Sequence, residues 1–206
     1  MYGSSISHFD TNRVQWDVLD IDYPWDGLSA AELDPETDLV FIVGPHKIHV
    51  YNPNSKEVLH SFLHGQSELL GYANNLVCYP PTGRMYYFAD GYSIFELTID
   101  RSNLPASTLA PLDGIGGDVP EMIETGFAFD SKNQIIGGAI RDGVFYAFDP
   151  QRKSWSAHTI GYDSTGAAMP GTIAFHAIDY DPVNNVFIYV SSYADGSHTW
   201  AYRYKK

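Results

Sequence analysis

Cysteine is almost absent. Cys78 is the single one in 206 residues, so no intrachain disulfide can form and nothing in the chain calls for an oxidising compartment. Charge is sparse as well: Asp, Glu, Lys and Arg make up 18% of the chain, against about 25% in an average soluble domain. Basic residues are the scarcer sign, 12 against 25 acidic, and the net charge of −13 argues against nucleic acid or an anionic membrane surface as partner. Long apolar runs are missing, since no window approaches the roughly 18 residues of a membrane helix. Met1-Tyr2-Gly3-Ser4-Ser5 has neither the basic start nor the apolar stretch of a signal peptide, so a cytoplasmic protein is the default expectation. What the chain has in plenty is aromatic surface. Aromatics are 15% of residues, with 15 Tyr and 11 Phe, which is enough to bury a sizeable core and to exclude disorder.

The apolar residues fall into a repeat. Segments 33–41, 79–87, 129–137 and 180–188 each carry an apolar residue, a turn tetrad and an apolar run. The turn position moves from Asp34 to Pro80, Asp130 and Asp181, in steps of 46, 50 and 51 residues. Its chemistry has a mechanism: proline fixes φ, an Asx side chain bonds the backbone, and Gly or Asn tolerates positive φ. A second turn follows as Ala89-Asp90-Gly91, Arg141-Asp142-Gly143 and Ala194-Asp195-Gly196, with Val43-Gly44-Pro45 in the first copy. Asp-Gly between apolar runs signals a hairpin. Third strands follow at 47–51, 93–97, 144–148 and 199–203, and fourth strands at 57–63, 107–112 and 154–160. No apolar stripe at helical spacing interrupts them.

Units of about 45 residues with four strands are β-propeller blades. The reading is an all-β, four-bladed β-propeller of four antiparallel strands per blade, a single domain over 1–206. Its blades span about 27–64, 71–112, 121–161 and 172–206, the last completed by 13–22. The fourth unit ends after three strands, and Val14–Ile21 alternates as an edge strand does. Pairing of that strand beside Thr199–Arg203 is expected to close the ring and leave no open inner edge. A monomer follows from this count. The alternative is a homodimer whose copies together form a larger ring.

Blade three carries a double glycine after an apolar strand, Gly137-Gly138, then Phe148-Asp149-Pro150 leading to Trp155, while blade one keeps Tyr51-Asn52-Pro53-Asn54. This resembles a kelch-type repeat, in which a double glycine and a Tyr-Asp-Pro step precede a tryptophan. The resemblance covers about a quarter of the chain and implies a scaffold that binds proteins or sugars, only occasionally an enzyme.

Innermost strands line the channel of a propeller, and loops at its mouth carry the usual site. Five residues before each turn stand Ser29, Asn75, Thr125 and His176, polar in every blade. One position earlier stand Leu28, Asn74, Glu124 and Phe175. A polar ring suits a wet channel wall; it also suits a pocket for an ion or a small ligand. Long connections at 113–121 and 161–171 belong to the same rim, where function concentrates. Trp25 stands near it as an aromatic platform for a sugar ring or a cation. Asp113, Asp118 and Glu121 offer oxygens to Ca²⁺ without the spacing of an EF-hand, so a solvated acidic loop is the simpler reading. His46, His49, His60 and His64 are expected on solvent-facing hairpin and outer-strand positions, without zinc-site spacing. Cys78 has no catalytic signature and is expected to be a buried, inert thiol. Trp16, Trp155 and Trp200 are expected in the core or between blades.

The expected function is a non-enzymatic binding or interaction module for a protein or carbohydrate ligand. The ligand would sit at the rim formed by Trp25, Ser29, Asn74, Asn75, Asp118, Glu124, Thr125 and His176. No resident cofactor is expected beyond an ion in the channel or Ca²⁺ at the acidic loop. The alternatives are a lectin-like carbohydrate binder and an acid/base enzyme using Glu124 and His176 at the channel mouth.

Overall fold

One four-residue hairpin loop recurs through the chain and sets its regularity. In the computed structural model, which describes residues 6–10, 13–19, 29–67, 69, 74–89, 91–122, 126–141, 143–160, 177–193 and 196–205, Asp34 pairs with Leu39, Tyr79 with Arg84, Asp130 with Ile135 and Asp181 with Val186. The fourth loop residue is left-handed each time: Asp38 (φ 56°), Gly83 (64°), Gln134 (57°) and Asn185 (57°). The Asp at the strand end holds the loop. Asp130 Oδ1 accepts the Lys132 and Asn133 amides at 2.9 and 2.8 Å, and Asp181 Oδ1 accepts those of Val183 and Asn184 at 2.8 and 3.1 Å. These are Asx turns. The same loop joins the outer strands after Asn52 and Asp149, with Lys56 and Lys153 at φ 60° and 51°.

This geometry corrects the repeat register in blade two by one residue. The position equivalent to Asp34, Asp130 and Asp181 is Tyr79, not Pro80. The constant feature is the proline or serine that opens the loop; a residue before proline is held extended, so Tyr79 ends its strand as Asp34 ends its own before Pro35.

Seventeen strands are described, with one short 3-10 turn at Leu104–Ala106. The N-terminal pair is β1 (Ile6–Asp10) and β2 (Gln15–Leu19). Blade one is β3 (Ala30–Asp34), β4 (Leu39–Val43), β5 (Lys47–Asn52) and β6 (Glu57–Leu63). Blade two is β7 (Asn75–Tyr79), β8 (Arg84–Phe88), β9 (Ile94–Thr98) and β10 (Thr108–Pro111). Blade three is β11 (Phe127–Asp130), β12 (Ile135–Arg141), β13 (Val144–Asp149) and β14 (Ser154–Thr159). Blade four is β15 (Ala177–Asp181), β16 (Val186–Tyr193) and β17 (Gly196–Tyr202). Each blade is an antiparallel meander with its first strand innermost, and β3, β7, β11 and β15 stand side by side in that order around one axis. The molecule is a four-bladed β-propeller.

Alternation along the strands assigns every side chain to a seam. Counting back from the loop, even positions of an inner strand face the following blade and odd positions the preceding one. Val77 and Tyr79 pack toward blade three, whereas Leu76 and Cys78 pack toward blade one. The second strands obey the same rule: Met85 and Tyr87 join Phe41, Val43, Ile48 and Val50, while Tyr86 and Phe88 join Phe127, Phe148 and Trp155. Ile135, Phe145 and Ala147 meet Phe187 and Tyr189 in the third seam. Aromatic pairs fill these seams, with Phe88 stacked on Phe127 at 4.3 Å and Phe145 against Phe187 at 4.9 Å. Gly137 has a packing reason, because a Cβ there would run into the Phe145 and Phe187 rings.

A polar tie reinforces the first seam. Arg101, in the turn after β9, reaches back to Asp34 with Nε and Nη2 at 3.0 and 2.8 Å and gives a third bond to the Gly83 carbonyl. Asp34 is fully buried. Burial opposes its charge, but the Arg101 and Thr37 hydrogen bonds and the Arg101 charge outweigh it, holding the carboxyl below its ordinary range.

Three expectations are corrected. The strand expected at 14–21 exists as β2, but its hydrogen-bonded neighbour is β1, with Val14 just ahead of it at φ 52°. Among the described residues it does not join β17, and blade four is a three-stranded sheet. The local hairpin closes with far less loss of chain entropy than a pairing across nearly the whole sequence. His49 and His64 are buried rather than solvent-facing: His49 Nδ1 meets Ser61 Oγ at 2.8 Å, and His64 Nε2 donates to the carbonyls of Gly44 and Pro45. Trp16 is 66% exposed, whereas Trp155 is buried.

Two outcomes follow. Arg101→Leu strands a buried carboxylate and lowers unfolding free energy by about 3 kcal/mol at neutral pH, read from urea titrations. Because the folded pKa of Asp34 is depressed, that difference is present above the unfolded pKa and shrinks as pH falls through the folded one. Gly137→Ala overpacks the third seam and costs about 1–3 kcal/mol in the same assay.

Candidate functional site

With the register corrected, the residues two positions before the turn are Glu32, Val77, Ala128 and Asp179, one from each blade. All four line one cavity of about 500 Å³ on the axis. Phe127 and Ile178 from one position earlier, and Leu33, Cys78 and Phe129 from one position later, complete its wall, with Pro35 and Pro80 at the loops. The row is acidic at its two ends and apolar in its middle.

Glu32 is half-buried, and its carboxylate accepts the Leu33 amide at 2.9 Å and the backbone of Cys78. Burial raises its pKa. The two amides pull it back in part, and the negative charge of Asp179 adds to the rise. Asp179 is exposed to the cavity and accepts the Tyr180 amide at 2.7 Å. Two carboxylates thus act on each other across the space between first and last blade. A cation between them would lower the electrostatic cost of both, and Phe127, Phe129 and Ile178 would cover an apolar body beside it.

Cys78 is buried at the same level, and burial, followed by the negative charges of Glu32 and Asp34, pushes its thiol up to about 12. A thiol so protonated is no nucleophile.

The expected rim lies at the opposite, N-terminal ends of the inner strands. Ser29, Asn74 and Asn75 are half-buried there, and Asp118 is exposed on the connection before blade three. Asn74, rather than Asn75, is the true equivalent of Ser29 once Tyr79 is the turn position; Asn75 falls in the row of Ala30 and Ala177. Trp25, Glu124, Thr125 and His176 lie outside the described residues, and with Glu124 and His176 the expected acid/base pair. The acidic connection is tied to blade three, with Gly116 exchanging backbone hydrogen bonds at 2.9 Å with Lys153 and Trp155. Asp113 and Asp118 are exposed and Glu121 is half-buried. Among the described residues, no group of three or more His, Cys, Asp or Glu side chains converges as a metal site.

No family model matches the chain, and no curated protein matches it in sequence. Solved structures do resemble it in fold. A structural-genomics protein of unknown function from Bacteroides thetaiotaomicron superposes with a TM-score of 0.64 at 13% identity, over 96% of this chain and 53% of that one. The β-propeller domain of Myceliophteria thermophila Cps50 (Swd1) gives 0.57 at 10% identity, over 91% and 60%. An auxiliary nutrient binding protein from Bacteroides thetaiotaomicron gives 0.54 at 14%, over 78% and 44%. The chain spans roughly half the length of the structures it matches.

A thiol reagent tests the cavity wall. Cys78 in the folded protein is expected to react with Ellman's reagent orders of magnitude more slowly than in urea at pH 8. Fast labelling of the native protein would contradict a closed, protonated thiol.

Proposed function

We propose that the chain is a non-enzymatic binding module whose axial cavity takes a small ligand, or a protruding side chain of a protein partner, with a cationic end and an apolar body. The observation that carries this reading is the cavity row itself, with Glu32 and Asp179 at its two ends and Val77 and Ala128 between them. One carboxylate would bind the cation, the other would set its orientation, and the phenyl rings would exclude water from the apolar part. Cys78, protonated and buried, supports a binding role over nucleophilic catalysis. The net charge of −13 draws cations toward the cavity and repels polyanions such as nucleic acid. The nutrient-binding description of one propeller-like structure is in keeping with a small ligand.

Phenethylamine and its neutral counterpart 2-phenylethanol make the test. Calorimetry is expected to show saturable binding of the amine and none of the alcohol, with Glu32→Gln and Asp179→Asn each weakening the amine at least tenfold. The cation binds the ionised carboxylate, so affinity falls as pH drops through the raised pKa of Glu32. Equal binding of amine and alcohol, or saturable binding of neutral monosaccharides alone, would overturn the cationic assignment; the second result would favour a carbohydrate ligand.

A further inference from the structure

The axial cavity is more exacting about its cation than charge alone requires. Of the described side chains in its wall, only Glu32 and Asp179 carry oxygen acceptors, and they stand on blades one and four. Among the described residues neither carboxylate has a cationic partner. Backbone amides hold them instead. Glu32 Oε1 accepts the Leu33 amide at 2.9 Å and the carboxylate takes the Cys78 backbone as well, while Asp179 Oδ1 accepts the Tyr180 amide at 2.7 Å. Their hydrogen-bonding capacity is partly used, but their charge is not compensated.

The facing wall is apolar. Val77, Phe127, Ala128 and Phe129 come from blades two and three, and Ile178 stands beside Asp179. Phe129 is half-buried, with its ring set edge to face against Tyr79 at 5.2 Å.

Such walls discriminate among cations. A primary ammonium is a compact, strongly hydrated charge with three N–H donors. Set between Glu32 and Asp179, it would lose its hydration and turn a donor toward Val77 or Ala128, where no side chain accepts it. A guanidinium, with more donors, fares worse. Ca²⁺ takes about six to eight oxygen ligands, where the wall offers two carboxylates. A quaternary ammonium needs no acceptor. Its methyl groups pack against phenyl and aliphatic side chains, and its charge is met by the carboxylates on the other side.

We propose that the cavity selects a quaternary ammonium over a primary ammonium of the same shape, with Glu32 and Asp179 supplying the charge and Val77, Ala128 and Phe129 the apolar contacts. The inference rests on the cationic-ligand reading and narrows it. A free trimethylammonium compound and a trimethylated lysine of a protein partner present the same chemistry.

Calorimetry at neutral pH, where both amines are charged, is expected to show phenethyltrimethylammonium binding about tenfold or more tighter than phenethylamine. Phe129→Leu keeps the wall apolar but removes the ring, and should lower that preference by about threefold or more with an unchanged circular dichroism spectrum. Choline should bind, and its neutral isostere 3,3-dimethylbutan-1-ol should not. Choline and a peptide carrying one trimethyllysine are then competed against the bound aryl cation. Displacement by either supports the assignment, and the better competitor separates a free ligand from a protein side chain; displacement by neither would overturn it. Phenethylamine binding as tightly as its trimethyl analogue would overturn the quaternary assignment and leave the cationic reading standing. Failure of both amines to bind, or equal binding of choline and its isostere, would overturn the two together.

Discussion

A β-sheet with two apolar faces cannot bury either by itself, and every feature of this molecule follows from that constraint. Each blade covers half its apolar side chains with the next blade and half with the previous one, and the period of two along a strand divides them. The division is strict enough that neighbours in sequence serve different cores: Met85 and Tyr87 belong to the first seam, Tyr86 and Phe88 to the second. Fully burying a side chain of this size is worth about 2–3 kcal/mol. The seams therefore hold the blades in place far more than single ties such as Arg101 to Asp34 do, and those ties fix register where the inner strands end.

Much of this was legible in the sequence because turns carry specific chemistry. Proline after a strand end, an Asx side chain and a residue tolerant of positive φ marked the loops, and strands expected at 57–63 and 154–160 appear as Glu57–Leu63 and Ser154–Thr159. The one-residue slip at blade two arose because Tyr79-Pro80-Pro81 lacks the Asp that anchors the other copies, so two prolines competed for the turn position. That slip hid the cavity row, since Glu32 and Asp179 align with Val77 and Ala128 only in the corrected register. Pairing partners were harder to read. An alternating strand such as Gln15–Leu19 says that it pairs but not with what, and a local hairpin competes well against a distant edge. Burial of His49 and His64 was equally hidden, because their partners, Ser61 and the carbonyls of Gly44 and Pro45, are set by tertiary approach.

The cavity is built by the inner strands of all four blades. In blades two and three the inward row is apolar, Val77 and Ala128, and in blades one and four it is acidic, Glu32 and Asp179. Burial and the charge of Asp179 together raise the pKa of Glu32, so the row holds an electrostatic cost that a bound cation would lower. The scaffold is thus set by the seams, and the chemistry by one position of the inner strands.

A double-mutant cycle in urea unfolding tests the allocation of faces to seams most directly. The account predicts that Met85→Ala couples to Val43→Ala, which shares its seam, by about 0.5–3 kcal/mol, and adds independently to Phe127→Ala, which belongs to the next seam. Coupling of Met85 to Phe127 with none to Val43 would contradict it.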